Sequence, residues 1–160
     1  MTTLLQEFLS AYFNGQTHNV GATANVAFPA ADIRMQQSGL PQPLTKPGIT
    51  VLWIGKGRTR EYWGQAAGKP AKIAHTDATL ILYVRAADKG AALQTSDLLY
   101  ELLVNTHETY ALSAKGVRWL RPGTPILIAD GASGGTGGGQ YFMRQINLAV
   151  RLVYNLNTQA

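Results

Sequence analysis

The sequence predicts an α+β fold: a mostly antiparallel β-sheet with a long C-terminal strand, flanked by an N-terminal helix and a central helix. Segment 141–154 reads with a period of two, with Ile146, Leu148, Val150 and Leu152 on one side and mostly polar residues on the other. Apolar residues recur at helical spacing near the N-terminus and again in the centre of the chain. Strand-like runs fill the regions between and after these helices, which favours one sheet with its helices on one face.

The length and the low charge content bound the organisation of the chain. With 160 residues, the chain is most simply one α+β domain, with projecting loops at about 35–48, 56–72 and 131–139. Only 14% of the residues are charged, against about a quarter in a typical protein. So few charges favour a surface that is partly covered by other subunits.

Several classes of protein are excluded or disfavoured by composition. The absence of cysteine excludes disulfides and thiolate metal sites. No apolar run is long enough for a membrane helix, so we expect a soluble protein without a membrane partner. The net charge of +5 permits contact with nucleic acid or with an acidic protein, but does not by itself select either one.

Residues 3–14 are predicted to form a short amphipathic helix. Its apolar residues recur at helical spacing, and Thr3 with Gln6 has the form of a capping box. Gly15 is placed to end the helix. Residues 15–32 show no clear periodicity, and the sequence assigns no regular element to them.

The middle of the chain contains one break and two predicted strands. Three prolines and two glycines in segment 35–48 predict a loop or an extended arm. Residues 49–54 are mostly β-branched or aromatic, as in a strand, and residues 77–86 contain the apolar run LILYV of a strand buried on both faces. Segment 56–72 between them predicts a hairpin or a projecting loop with a basic rim.

The second half of the chain is predicted to contain a helix and then further strands. The helix covers about residues 91–107 and has a leucine stripe, and Asp88 or Ser96 could cap its start. Two short strands are expected at 116–120 and 125–129, separated by a turn that contains Pro-Gly.

The sequence predicts no catalytic, cofactor or metal site. The glycine-rich segment 131–139 lacks the lysine and the following helix of a phosphate-binding loop, so we expect a mobile hairpin tip. Ser133 fits Gly-x-Ser-x-Gly, but a hydrolase places that serine between a strand and a helix, and a strand follows here. A hydrolase using Ser133 is therefore only the third hypothesis. His18, His75 and His107 are far apart and have no metal-ligand spacing.

Segment 56–72 is the most suggestive basic patch, and two interpretations of it stay open. Cations beside aromatic rings can hold phosphates and stack bases, as in a nucleic-acid-binding module. The same residues also fit a solvated hairpin, or a rim that meets an acidic neighbouring subunit. The candidate contact residues are Lys56, Arg58, Arg60, Tyr62, Trp63, Lys69 and Lys72, and Arg118, Arg121, Arg144 and Arg151 could add to the same surface.

The order of elements from residue 78 onward resembles a known family. A buried strand, ATLILYVRAAD, leads to a leucine-rich helix, SDLLYELLVNTHETY, and a long alternating strand, QYFMRQINLAVRLVYNL, comes last. With the short N-terminal helix, this pattern is similar to the tail terminator proteins of tailed bacteriophages. Segments 35–48 and 56–72 are longer than the minimal pattern of that family requires. A head–tail joining or neck protein of similar fold therefore stays an alternative.

The resemblance implies a structural virion protein without catalytic activity or cofactor. Such proteins form a homohexameric ring at the head-proximal end of the tail tube, stop tube polymerisation and join the tail to the neck. The implied partners are copies of the chain itself, the tail-tube protein and the neck or connector protein, assembled in the host cytoplasm. Segment 141–154 is long enough to extend a neighbour's sheet. Lys56, Arg58 and Arg60 would be lumen or inter-subunit contacts, where cations could meet passing DNA.

Overall fold

The computed structural model describes residues 1–35, 44–66, 68–105, 110–133 and 139–155. These residues form a mostly antiparallel, mixed sheet with two long helices, which confirms the predicted α+β class. The elements in chain order are α1 (Thr2–Tyr12), β1 (Thr17–Val20), β2 (Thr23–Ala27), β3 (Asp32–Met35), β4 (Gly48–Ala66), β5 (Lys69–Ala86), α2 (Lys89–Val104), α3 (Tyr110–Ser113), β6 (Val117–Pro122), β7 (Ile126–Ser133) and β8 (Gln140–Asn155).

The main sheet has six strands in the order β3-β4-β5-β8-β6, with β7 also paired to β8. β3 runs parallel to β4, and the other described pairs are antiparallel. β6 pairs with residues 148–152 of β8 and β7 with residues 140–145, so they lie end to end along one edge of β8. The Pro-Gly segment between them is a break in this edge, where the Gly123 N–H donates to the Asn147 carbonyl over 2.7 Å.

β8 confirms the strand predicted from its alternation. Ile146, Leu148 and Val150 are fully buried, and they lie opposite Leu82, Leu80 and Ala78 of β5 in a register without shifts. The expectation that this strand extends a neighbour's sheet is wrong, because β5 occupies one edge of β8 while β6 and β7 occupy the other. The open edges of the sheet belong to other strands.

The helices pack on one face of the sheet, as predicted. Leu5 and Leu9 of α1 and Leu99 and Leu102 of α2 are fully buried in one cluster with the inward residues of the sheet, such as Leu80. Burial of such side chains contributes about 1.5–3 kcal/mol each, so this layer supplies most of the stabilisation. We call this side of the sheet the helix face and the other side the open face.

The helix ends differ in part from the predictions. Asp88 is the N-cap of α2, and its Oδ2 accepts from the Ala91 N–H over 2.8 Å, whereas Ser96 lies inside the helix. The capping box of α1 is wrong, because the N-cap is Met1 and no side chain caps it. The Gln6 amide instead donates to the Ile33 carbonyl over 2.9 Å and ties α1 to β3.

The prediction that strand 77–86 is buried on both faces is also wrong. Leu80, Leu82 and Val84 are fully buried, but Ile81 and Tyr83 between them are half-buried. The cause is that the described helices cover the helix face only. Apolar side chains on the open face make the run look continuous in sequence without being enclosed.

Several predicted loops hold short strands or lie outside the described residues. β1, β2 and the start of β3 lie in the region 15–32 to which the sequence assigned no element. Of the predicted loop 35–48, residues 36–43 are outside the described residues, as are residues 134–138 of the glycine-rich tip. No helix within the described ranges is both long and apolar enough to span a membrane.

Candidate functional site

β4 and β5 form one long antiparallel hairpin, and we call residues 56–72 its hairpin arm. Of the two predicted alternatives, hairpin and projecting loop, the structure has the hairpin. β8 accompanies β5 as far as Ile73, which lies opposite Asn155. Beyond that point the described arm consists of its own two strands, up to Ala66 opposite Lys69. The arm therefore extends past the sheet that carries the core.

A β-bulge decides which way the arginines of the arm point. Lys56 lies opposite Ala78 and Thr59 opposite Thr76, so Gly57 and Arg58 together face the single residue between them on β5. The extra residue inverts the alternation of β4 from this point on. Arg58 and Arg60 consequently lie on the open face, whereas Lys56 lies on the helix face with Ala78.

The bulge creates a small pocket on the open face, which we call the basic pocket. Its volume is about 120 Å³, and it is lined by Arg58, Arg60, Tyr62, His75, Asp77 and Arg151. Three strands supply these residues: β4, β5 and β8. Within the described part of the chain, the side chains of Arg58 and Arg60 make no hydrogen bond or ion pair. Two guanidinium groups are thus available to a ligand.

The other side chains of the basic pocket are paired. Arg151 donates from Nε to Asp77 Oδ1 over 2.7 Å and from its Nη2 to Asp77 Oδ2 over 3.0 Å. This bidentate bond is the main cause that lowers the pKa of the Asp77 carboxyl and raises the pKa of the Arg151 guanidinium. The Tyr62 hydroxyl is hydrogen-bonded to Nε2 of His75, and their rings meet edge to face at 4.7 Å.

The seven predicted contact residues do not form one surface. Arg58, Arg60 and Tyr62 line the basic pocket. Trp63 lies opposite Lys72 on the other face of the arm, where it is 74% exposed. Lys72 forms a 2.5 Å ion pair with Glu61 on that face. Lys56 is on the helix face, as described above, and Lys69 lies beside the turn, opposite Ala66. The structure therefore divides this set between two faces.

His75 and Asp77 also belong to the site, although no sequence pattern had indicated them. Both lie before the buried run of β5 and two positions apart. Because successive side chains of a strand alternate between its faces, their odd spacing from the buried Leu80 would have placed them on the open face. Of the additional arginines, Arg151 joins the pocket. Arg121 lies nearby, because its guanidinium and that of Arg151 lie 4.7 and 5.2 Å from the centre of the Trp119 ring.

Arg144 does not belong to this surface. It lies on the helix face with 15% of its side chain exposed. Its Nη1 donates to Ser96 Oγ and to Asp97 Oδ1, each over 2.8 Å, and its Nη2 donates to the Pro125 carbonyl over 3.2 Å. These bonds link α2 to β8 and to the start of β7, which makes Arg144 a structural residue. Arg118 is exposed on β6 and does not line the pocket.

The sheet has two open edges within the described residues. Beyond Val51, where β3 stops, no described strand pairs with the outer side of β4. On the opposite side of the sheet, no described strand covers β7. There, Ile126, Leu127 and Ile128 are 51%, 47% and 48% exposed, and we call these three residues the apolar edge. An exposed apolar edge strand is a template for pairing with another chain.

The remaining sequence motifs gain no support from the geometry. Ser133 ends β7, and its side chain, like residue His107, lies outside what the structure describes. Among the described residues, no group of His, Cys, Asp and Glu is arranged to hold a metal ion. Comparisons with models of known protein families and with curated proteins found no match.

Proposed function

We propose that the chain is a structural assembly protein whose copies join edge to edge into a ring. We further propose that this ring is a tail terminator: it sits at the head-proximal end of a phage tail tube, stops tube growth and joins the tail to the neck. The support for this assignment is the order of the elements from β5 to β8, on which the resemblance to that family rests. The proposed role requires no active site.

The observation that carries the proposal is the pair of open edges on opposite sides of one sheet. If the apolar edge of one copy meets the outer edge of β4 of the next, the resulting pair still has one free edge of each kind, so further copies can add. Such heterologous contacts form a closed ring when the rotation per copy divides a full turn. The low charge content of the chain agrees with a surface that other copies cover.

The size of the apolar edge predicts weak association in free solution. Full burial of an isoleucine or leucine contributes about 1.5–3 kcal/mol, so three half-exposed side chains offer roughly 3 kcal/mol. Association of two proteins costs about 4 kcal/mol or more in lost freedom. Hydrogen bonds along the paired edges and contacts with the tube have to supply the remainder. We therefore expect the tube to promote ring formation.

The test measures the molar mass of the purified chain by sedimentation velocity, alone and with tail tubes, and images the tubes by electron microscopy. We expect a monomer or a weakly associating species alone and a ring of about six copies on the tubes, as the resemblance implies. Ile128→Lys should prevent the ring, because a lysine on an edge strand disfavours pairing. The matched control is Val104→Lys, which charges an equally exposed apolar residue (47%) at the end of α2.

Three outcomes decide the proposal. A chain that stays monomeric and ignores tubes contradicts it, and so does an Ile128→Lys variant that assembles like the unmodified chain. A ring that binds connector particles but not tubes assigns the chain to the head–tail joining proteins instead.

A further inference from the structure

We propose that the basic pocket binds phosphodiester groups of a nucleic acid backbone, without reading base sequence. The inference rests on the pocket alone and does not require the ring. In this pocket, cationic side chains without an ion pair among the described residues converge in a concave site.

The size of the pocket selects the ligand group. Pockets for small molecules have volumes of about 300 Å³ or more. At about 120 Å³, the basic pocket suits one small group and not a whole nucleotide or cofactor. The group is therefore expected to belong to a larger molecule that lies across the open face.

The charge of the pocket selects an oxyanion. Arg58, Arg60 and Arg151 surround it, and Asp77 neutralises Arg151. Arg58 and Arg60 form no ion pair with the described residues, and Asp77 attracts Arg60 only through a longer-range charge interaction. Guanidinium groups hold phosphate oxygens through paired, charge-assisted hydrogen bonds. The Tyr62 hydroxyl and the His75 ring at the wall add polar contacts.

The cations continue across the open face, which favours a polyanion over a single phosphate. The guanidinium groups of Arg121 on β6 and Arg151 on β8 both contact the ring of Trp119. Arg60 lies on β4, at the other end of this row of strands. Three strand spacings separate β6 from β4, or about 14 Å in total. Along the axis of a duplex, each strand carries a phosphate about every 3.4 Å, so about four phosphates of one strand span the length of this row.

The test is fluorescence anisotropy with a labelled random-sequence DNA duplex of about 20 base pairs, titrated over a range of salt concentrations. Because Asp77 neutralises Arg151, about three phosphates are neutralised, by Arg58, Arg60 and Arg121, and the plot of log K against log salt should have a slope of about −2.7. Arg58→Ala/Arg60→Ala should reduce the magnitude of this slope by about 2 and weaken binding at low salt about tenfold or more. The matched control, Lys46→Ala/Lys89→Ala, removes the same charge from two exposed ion pairs away from the arm and should retain the slope within about 0.5.

A second variant tests the pocket in the opposite direction. Asp77→Asn removes the internal anion and releases Arg151 to the ligand, so it should strengthen duplex binding by about threefold or more. If Asp77 and Arg151 only stabilise the fold, the affinity should stay unchanged or fall. Thermal melting of each variant checks that the chain is folded.

Three results would overturn the proposal. The first two are the absence of duplex binding at low salt and equal binding by the double arginine variant and its control. The third is equally tight binding of poly-glutamate as a competitor, which would identify an acidic protein as the partner. Ile128→Lys separates this inference from the ring, because it should assemble poorly and still bind the duplex with the affinity of the unmodified monomer.

Discussion

The two arginines of β8 have different roles because of their position along one strand. Arg144 and Arg151 are an odd number of residues apart, so their side chains emerge on opposite faces. Arg144 enters the helix face and bonds to α2 and to the Pro125 carbonyl, whereas Arg151 joins Asp77 in the basic pocket. The alternation of Ile146 to Leu152 in the sequence already predicts this difference. Arg144 is an even number of residues from the buried side chains and Arg151 an odd number.

We predict that Arg144→Ala lowers the free energy of unfolding by about 2 kcal/mol, because it leaves Ser96 Oγ and the Pro125 carbonyl without their charged donor. Urea unfolding followed by circular dichroism measures this loss. Arg121→Ala, which removes an exposed cation that contacts the Trp119 ring, serves as the control and should cost about 1 kcal/mol or less. A loss below about 0.5 kcal/mol for Arg144→Ala would contradict the structural role.

The composition of the basic pocket could be predicted only in part. The sequence identifies Arg58, Arg60 and Tyr62 as members of a basic segment. Simple alternation would place Arg58 and Arg60 on the same side as Lys56, and the bulge at Gly57 and Arg58 separates them. The position of a bulge depends on how two strands pair, and no local sequence pattern in β4 predicts it.

At the scale of elements, strong periodicity separates the strands and helices that were predicted from those that were missed. β8 and α2 carry long repeats of apolar residues, and their positions follow from those repeats. β1, β2 and β3 have only four or five residues each, too few for a repeat to be distinguished. Two residues with positive φ shape this region: Gly21 in the turn between β1 and β2, and Asn25 inside β2, where the register with β1 shifts. A composition rich in glycine and asparagine permits such positions without specifying them.

Gly116 fixes the start of β6 against β8. Its φ is +90°, and a Cβ added there would lie 2.9 Å from the Val153 carbonyl oxygen. Its own carbonyl accepts from the Val153 N–H over 2.8 Å. The backbone of β8 thus approaches β6 at a point where a side chain has no room.

Gly116→Ala should therefore lower the free energy of unfolding by more than about 1 kcal/mol, through the positive φ and the contact with Val153. The control is Gly139→Ala, where an added Cβ meets nothing within 4 Å. Chemical denaturation of both variants gives the comparison. If the two variants had the same free energy of unfolding, the start of β6 would be able to move away from Val153 without loss of stability, which would contradict the prediction.

At the scale of the whole molecule, the core and the proposed contact surfaces occupy different parts of the sheet. The core lies under α1 and α2, where Leu80, Leu82 and Leu148 are fully buried. The hairpin arm and the apolar edge lie to either side of that core. The sequence could predict the core from hydrophobic patterns, but the open edges follow from strand order, which involves residues far apart in the chain.

We predict that the tip of the hairpin arm contributes little to folding. Replacing residues 64–71 by Asn-Gly would join Trp63 to Lys72 through a two-residue turn that suits a hairpin. The melting temperature should change by about 4 °C or less, which corresponds to about 1 kcal/mol. A larger fall in thermal scanning would mean that the tip is part of the folding unit. The same variant in the tube assay reports whether the tip takes part in assembly.

The interior position of β8 also governs how the chain reaches its fold. β8 is the last described strand in sequence, yet β5 on one side and β6 and β7 on the other depend on it for pairing. The Asp77–Arg151 bond alone spans 74 positions along the sequence. Contacts of such high contact order form slowly, because a long loop must close before any pairing stabilises it. During synthesis, β5, β6 and β7 are therefore made before the strand that pairs with all three, and aggregation competes most strongly with folding in the interval before β8 is available.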